Sequence, residues 1–440
     1  MAAELDLVVR GRRAIVGSAE TAVCVGVSDG RIAVVTPYDD PPEAARTITL
    51  DDDEVLIPGL VDTHVHVNEP GRTGWEGFDS ATRAAAAGGV TTILDMPLNS
   101  VPPTVTVEAL RAKQDAARGR VFVDVGFWGG AVPAHLGDLA AVHEAGVFGF
   151  KCFLLDSGVP EFPHLSPAQL RAAMTETARL GGLLLVHAED GHLLGDAPPG
   201  PSYAGYLASR PPTSEDTAIG LVIDTARATH GRAHVVHLAS ASALPGLHAA
   251  RVEGVDVSVE TCPHYLALAA EDVPDGATTF KCCPPIRERL HQDQLWAGLV
   301  AGDIDFVVTD HSPSTADLKV PDFAAAWGGI SSLQVGLPAV WTAAAVRGIA
   351  LTDLVRWMAT APADRVGLPR KGRIAVGADA DLAVLAPEES FVVDVTRLHH
   401  KNQVSAYAGR TLQGVVRRTF LAGREVDDVP RGRLLARGER

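Results

Sequence analysis

Residues 60–78 read LVDTHVHVNEPGRTGWEGF, and this stretch holds the clearest indication of the fold. It begins with a short apolar run, at 60–67, that lacks strict alternation of apolar and polar side chains. Such a run is typical of a parallel strand buried on both faces. His64 and His66 stand near its end. Because side chains two residues apart on a strand point to the same face, both imidazoles are predicted to project from one side of it.

More short apolar runs of this kind follow, and helical patterns separate them. They occupy residues 91–97, 120–128, 147–154, 182–189, 233–239, 255–265 and 304–313. One helical pattern covers residues 214–230, with Ser214 as the expected N-cap, acidic residues in the first turn and Gly231 after its end. Eight strand–helix repeats of this length predict an α/β fold, a (β/α)₈ TIM barrel over residues 59–370.

The two ends of the chain have a different pattern. Residues 4–57 contain hairpin-like runs with Asp29-Gly30 as a turn signal, and residues 371–425 repeat this style in GRIAVGADADLAVLAP and GVVRRTFLAGREV. We therefore expect residues 1–58 and 371–440 to form one small β-sandwich domain, built from both chain ends.

Composition narrows the classes of function. The formal net charge of −16 argues against a nucleic-acid or anionic-membrane surface, because either would need a basic stripe. No apolar stretch is long enough to predict a transmembrane helix. Five cysteines without CxxC spacing argue against a disulfide framework, so we expect a cytoplasmic protein.

Imidazole and carboxylate groups stand at the ends of several predicted strands. His187, His237 and Asp310 end the fifth, sixth and eighth apolar runs, as His64 and His66 end the first. Active sites of such barrels lie at the carboxyl ends of the strands, so these five groups are expected to converge there. Together they suit Zn²⁺, Mn²⁺, Co²⁺ or Fe²⁺.

Two further residues in these strands, His234 and Lys151, lead to separate predictions. His234 is an odd number of residues from His237, so we expect it to face the helix layer. Lys151 lies between two phenylalanines at the end of the fourth run, where burial of its charge is costly. Either it reaches the barrel mouth as an ordinary lysine, or CO₂ converts it to a carbamate that bridges two metal ions.

The sequence resembles a known family across nearly its whole length. The blocks PGLVDTHVH, GFKCF, LVHAE, HVVHLAS, CPHY, PPIR and TDHSP resemble the cyclic-amidohydrolase branch of the amidohydrolase superfamily. Within that branch, NEPGRTGWEGF, DMPLNS, KCCPPIR, AWGGISSLQ and HKNQVSAYAGRT are similar to blocks of the allantoinase family.

This resemblance implies a site with two divalent metal ions, zinc or else cobalt, manganese or iron. It implies that His64 and His66 bind one ion, that His187 and His237 bind the other, and that carboxylated Lys151 bridges them. Asp310 would ligate the first ion and act as the base toward a hydroxide held between the two. The implied reaction is hydrolysis of allantoin, a small-molecule ureide, to allantoate. The implied assembly is a homotetramer.

Related families differ from this sequence in their substrate residues. Dihydroorotases carry an arginine two residues after the second histidine to bind the substrate carboxylate, whereas this chain has Asn68. Dihydropyrimidinases and hydantoinases usually have a tyrosine after the lysine strand, and CFLLDSGVPEF contains none. Non-catalytic relatives have lost ligands, whereas all six positions are filled here. A hydantoinase-like activity remains the main alternative.

Four residues are candidates for contact with the substrate. Asn99 is expected to hydrogen-bond the ureide, although an asparagine in a turn would explain it equally well. Ser312 and the backbone at Cys283 are expected to hold amide groups of the ring. His264 lies near the mouth, where a substrate contact and a structural role are both open.

Overall fold

The computed structural model describes residues 4–438, and five strands precede the barrel, which the chain enters after Gly59. These strands are β1 (Leu5–Val16), β2 (Ala19–Ser28), β3 (Arg31–Pro37), β4 (Ala44–Thr49) and β5 (Val55–Pro58). Asp29 and Gly30 join β2 to β3 with φ angles of 51° and 74°. Two consecutive residues with positive φ match the right-handed twist of a hairpin, so the predicted turn is confirmed.

Parallel strands then form the barrel. They are β6 (Leu60–Val65), β7 (Val90–Asp95), β8 (Asp124–Phe127), β9 (Gly129–Gly130), β10 (Phe150–Phe153), β11 (Leu183–His187), β12 (Arg232–Val235), β13 (Val257–Thr261) and β14 (Phe306–Val307). Strands β8 and β9 are separated only by Trp128 and act as one interrupted strand. A bridge between Val65 and His311 joins the first strand to the segment that follows the last one. The predicted (β/α)₈ barrel is confirmed.

Helices cover the outside of this barrel. They are α1 (Phe78–Ala87), α2 (Val107–Ala117), α3 (Leu139–Glu144), α4 (Pro167–Arg179), α5 (Tyr203–Ser209), α6 (Pro212–Thr229), α7 (Leu244–Val252), α8 (Pro263–Ala267), α9 (Arg289–Ala301), α10 (Gly336–Ala345), α11 (Leu351–Val355) and α12 (Ala361–Arg365). None of the helices described between residues 4 and 438 combines the length and apolarity that crossing a bilayer requires.

The prediction that Ser214 caps a helix was wrong. Helix α6 begins two residues earlier, at Pro212, because proline has a backbone angle suited to the first helical position and lacks the N–H that would remain unpaired there. Ser214 lies inside the first turn and donates its hydroxyl to the carbonyl of Asp190. The predicted end is confirmed, since His230 adopts a left-handed conformation just before Gly231.

The chain returns to the first sheet at its carboxyl end. Strands β15 (Leu382–Val392), β16 (Thr411–Leu421) and β17 (Arg424–Glu425) complete an eight-stranded sheet in which β15 pairs with β5 in the antiparallel sense. Its core contains residues from both ends, among them Val9, Val25, Leu382 and Phe420. A β-rich domain built from both chain ends is therefore confirmed, while its boundaries at residues 58 and 371 stay a prediction.

The segment between β15 and β16 reaches back to the barrel mouth. Lys401 donates its amine to the carbonyl of Glu76 (3.1 Å), and the Asn402 amide donates to the carbonyl of Trp75 (2.7 Å). These bonds hold the loop that follows the first barrel strand. The HKNQ part of the block HKNQVSAYAGRT thus fixes one wall of the mouth.

Candidate active site

A cavity of about 300 Å³ opens at the carboxyl ends of the barrel strands. Its lining contains all the residues that the sequence assigned to the site except His264, namely His64, His66, Lys151, His187, His237, Asp310, Asn99, Cys283 and Ser312. These residues come from strands and loops far apart along the chain, so the barrel itself brings them together. The volume lies at the lower end of the range for small-molecule sites.

His64, His66 and Asp310 form the tightest group in this cavity. The Oδ1 atom of Asp310 lies 3.2 Å from Nε2 of His64 and 3.5 Å from Nε2 of His66. Burial opposes ionisation of Asp310, but the neighbouring His64 and His66 hold the pKa of this carboxyl below its ordinary value. Because the potential ligand atoms lie within 4.8 Å of one another, the group could hold a metal ion.

His187 and His237 form a second pair beside the first. Their ring centroids are 4.5 Å apart, and the His237 ring lies 5.5 Å from that of His64. Burial lowers the pKa of both imidazoles, well below its usual range for His237, and so favours the neutral form that binds metals. The Nδ1 atom of His237 is buried and has no protein partner among residues 4–438.

Lys151 lies in the wall beside both pairs. Its side chain is only 1% exposed, and Nζ lies 5.1 Å from the centre of the Phe153 ring. Burial lowers the pKa of the amine to about 8, although Glu260 and Asp310 oppose that shift. Nζ has no hydrogen-bond partner within the described part of the chain. A buried lysine with no carboxylate partner is costly as a cation, so burial shifts the equilibrium of this amine toward its neutral form.

The expectation that His234 faces the helix layer was wrong. His234 is buried in the barrel, where its Nδ1 atom lies 2.6 Å from the Ser258 hydroxyl and its Nε2 atom lies 2.9 Å from Glu260 Oε2. Alternation fails because His237 has a φ of 41°, which lies in the left-handed region. The chain turns at that residue, so His234 and His237 both point inward although they are three positions apart in the sequence.

Two carboxylates were missed by the sequence analysis. Glu260 lies 2.5 Å from Nδ1 of His64, and Glu189 lies 2.8 Å from Nε2 of His187. Each carboxylate fixes the tautomer and ring orientation of its histidine and leaves the other nitrogen for a ligand. The signal was present in VSVETCP and LVHAED, because an acidic residue inside or just after an apolar strand needs a partner when it is buried.

We expect Glu260→Gln to weaken metal binding by roughly 10- to 100-fold, because the amide orients and polarises the His64 ring less strongly than the carboxylate does. Chelator competition against Zn²⁺ measures this change. Glu69→Gln is the control, since Glu69 is also buried but binds Arg120 and no histidine. An unaltered affinity in Glu260→Gln would contradict the role of this carboxylate.

The candidate substrate contacts lie around the rim. Asn99 has a φ of 63°, and its carbonyl accepts from Arg72 Nη1 at 2.8 Å, so its backbone is held while its side chain lines the cavity. The Sγ atom of Cys283 lies 3.1 Å from the hydroxyl of Tyr206. His264 is completely buried and is not part of the cavity lining, which favours a structural role for it.

Comparisons with known proteins find related sequences and a matching overall fold. The sequence profile described as the Amidohydrolase family matches residues 55–426. Allantoinase from Streptomyces avermitilis is 57% identical over 99% of both chains, and allantoinase from Saccharomyces cerevisiae is 44% identical over 94% of this chain and 91% of its own. The solved structure of an L-hydantoinase (dihydropyrimidinase) from Arthrobacter aurescens superposes with a TM-score of 0.91 at 30% identity, covering 98% of this chain and 100% of the other.

Proposed function

The chain belongs to the amidohydrolase family, and from this premise we propose that it opens the hydantoin ring of allantoin by hydrolysis and releases allantoate. Its class is hydrolase acting on the C–N bonds of cyclic amides. The main support for allantoin as the substrate is the 57% identity to an allantoinase over nearly the full length of both chains. The cavity supports it, because its lining holds a complete set of ligating and polar groups.

The residues present fit a pair of divalent cations. Histidine nitrogens and a carboxylate are the donors that zinc and similar metals prefer, and Nδ1 of His66 and of His237 are buried without protein partners in the described chain. We propose that His64, His66 and Asp310 hold one cation and that His187 and His237 hold the second. Zinc is the proposed metal, with cobalt, manganese or iron as alternatives.

Lys151 is the proposed bridge between the two cations. Its neutral amine would attack CO₂, forming an N–C bond and losing a proton to water, so that the side chain becomes a carbamate anion. The position supports this step, because the amine is buried at the cavity wall and has no partner within residues 4–438. The resulting carboxylate would supply the negative charge that two cations require there.

Bound cations would polarise the scissile carbonyl and lower the pKa of water in the cavity. Asp310 supplies the proton transfers. Its carboxylate lies against His64 and His66 in the cavity, where it can accept the proton from the attacking water. It then delivers that proton to the ring nitrogen as the C–N bond breaks, as general acid–base catalysis requires.

Asn68 supports a neutral substrate. It is completely buried, and its amide donates to the carbonyl of Pro313 at 3.3 Å. An asparagine at this position provides no guanidinium for a substrate carboxylate, which argues against dihydroorotate. The hydantoin ring and the ureido arm of allantoin are both uncharged amide groups.

The testing experiment is a comparison of substrates. Purified protein supplied with Zn²⁺, Mn²⁺, Co²⁺ or Fe²⁺ is assayed with allantoin, hydantoin, dihydrouracil and dihydroorotate. We expect allantoin to give the highest kcat/KM. Preferential opening of hydantoin or dihydrouracil would instead identify a hydantoinase-like enzyme, the activity that the Arthrobacter aurescens structure favours as the second candidate. Purified protein without stoichiometric metal would contradict both.

We also propose a cytoplasmic location and a homotetramer. The five cysteines are all unpaired, which supports a reducing compartment. A relative from Aquarana catesbeiana, named as a mitochondrial allantoinase, is 45% identical over 82% of this chain, and the mitochondrion is therefore the alternative location. The tetramer rests on the family resemblance and stays a prediction that light scattering on the purified protein tests.

A further inference from the structure

Arg210 is a cavity residue that the proposed mechanism does not use. It follows helix α5 directly, its side chain is 16% exposed, and it belongs to the cavity lining. Its Nε and Nη2 atoms lie 3.1 Å and 2.6 Å from the two oxygens of Glu189. Glu189 in turn binds the ring of His187, so the guanidinium lies one residue away from the histidine cluster.

The Nη1 atom of this guanidinium carries no protein hydrogen bond within the described chain. Because this atom has no hydrogen-bond partner but is not fully buried, it is partly open to the solvent. Lys281, another cation of the lining, differs because its amine donates to the carbonyls of Ala326 (2.6 Å) and Ala324 (3.3 Å). Arg210 therefore has a free N–H donor for a ligand, whereas the amine of Lys281 is already hydrogen-bonded to backbone carbonyls.

Charge decides which ligand group suits this donor. Glu189 is fully buried and binds one edge of the guanidinium with both of its oxygens, so the pair is neutral overall. A carboxylate placed at Nη1 would gain little from this guanidinium, because Glu189 already balances its charge. An uncharged carbonyl oxygen can accept from Nη1 at little cost, since the arginine charge remains balanced.

We propose that Arg210 determines specificity by donating from Nη1 to the carbonyl oxygen of the ureido arm of the substrate. This inference rests on the proposed function, because it assigns the part of allantoin that hydantoin lacks. The geometry gives Arg210 two roles, since one edge of its guanidinium fixes Glu189 and the other recognises the ureide. Selectivity for a substituted ring would then depend on a residue outside the metal-ligand set.

The test separates these two roles with Arg210→Lys. Lysine keeps a positive charge beside Glu189 but loses the second edge of the fork. KM for allantoin should rise roughly 10- to 100-fold, the range expected for loss of a hydrogen bond to a charged group. The Ki of hydantoin as a competitive inhibitor should change less than about threefold, and metal content should stay the same. Arg210→Gln, which can still donate to Glu189, should shift selectivity in the same direction.

Arg365→Lys is the matched control. The Arg365 side chain is also 16% exposed and binds a carboxylate, that of Asp256, but it does not line the cavity. Equal changes in the KM of allantoin and the Ki of hydantoin would show that Arg210 is only structural and would overturn the proposal, as would unchanged values for both. A wild-type protein that opens no allantoin would instead overturn the proposed function itself.

Discussion

Lys151→Ala is expected to lose bound metal and to lower kcat for allantoin by on the order of 1,000-fold or more. The substitution removes the proposed bridging carbamate, and a cation that stabilises developing charge is worth several kcal/mol in the transition state. Alanine leaves space at a wall where the native side chain is only 1% exposed. Metal content measured by plasma mass spectrometry and steady-state kinetics report the two losses separately.

Chemical rescue gives this prediction a second measurement. Acetate or propionate can enter the vacated space and supply a carboxylate, so partial recovery of metal and turnover is expected with Lys151→Ala. Lys319→Ala is the control, because Lys319 donates to the carbonyls of Trp327 and Gly329 and is not part of the cavity lining. The same acids should not raise its activity. A Lys151→Ala protein with near wild-type turnover would show that Lys151 is no bridge.

The sequence could predict the barrel and the cavity because both follow from local pattern. Each buried strand reads as a short apolar run, and the carboxyl ends of such strands meet at one face of a barrel. His64 and His66 alone indicated little, but His187, His237 and Asp310 at the ends of other strands placed all five groups in one cavity. No long-range information was needed beyond the order of strands.

What the sequence could not predict depends on backbone turns and on contacts across the barrel. Asn68, Asn99, His237 and Asp310 all have positive φ values, between 41° and 65°. Such turns end the alternation of a strand and redirect its side chains, which is why the orientation of His234 was predicted wrongly. Strain of this kind is common at functional sites, where surrounding packing holds residues in unfavourable conformations.

Glu260 shows that contacts across the barrel could not be predicted from the sequence. Its two oxygens contact His64 and His234, which lie on strands β6 and β12, so the role of this carboxylate depends on three strands at once. A buried glutamate in the sequence indicates that a partner exists but does not say which one. Only the assembled barrel shows that a cavity histidine is held from behind by a carboxylate, and the same argument holds for Glu189 behind His187.

Asp310→Asn is expected to separate metal binding from turnover. Asparagine keeps an oxygen near Nε2 of His64 and Nε2 of His66, so most of the metal should remain, whereas an amide cannot accept the proton of the attacking water. Loss of a positioned acid–base group predicts a fall in kcat of about 100- to 10,000-fold. The fall should exceed the loss of metal in the same sample, with mass spectrometry for the metal and kcat for allantoin measured together.

Asp305→Asn is the matched control for this experiment. Asp305 immediately precedes strand β14, whereas Asp310 follows its other end, and the Asp305 carboxylate binds Arg251 and the N–H of Val259 outside the cavity. We expect its kcat to stay within about threefold of wild type, because a carboxylate that does not reach the cavity cannot transfer a proton to or from the substrate.

If Asp310→Asn lost metal and turnover in equal proportion, its carboxylate would be a ligand only, and the proton would have to travel through another group. Among residues 4–438, the other carboxylate in the cavity lining is that of Asp156, which follows β10 and lies in the exposed rim. Since Asp310 stands against two histidines and Asp156 does not, the geometry favours Asp310 as the residue that moves the proton.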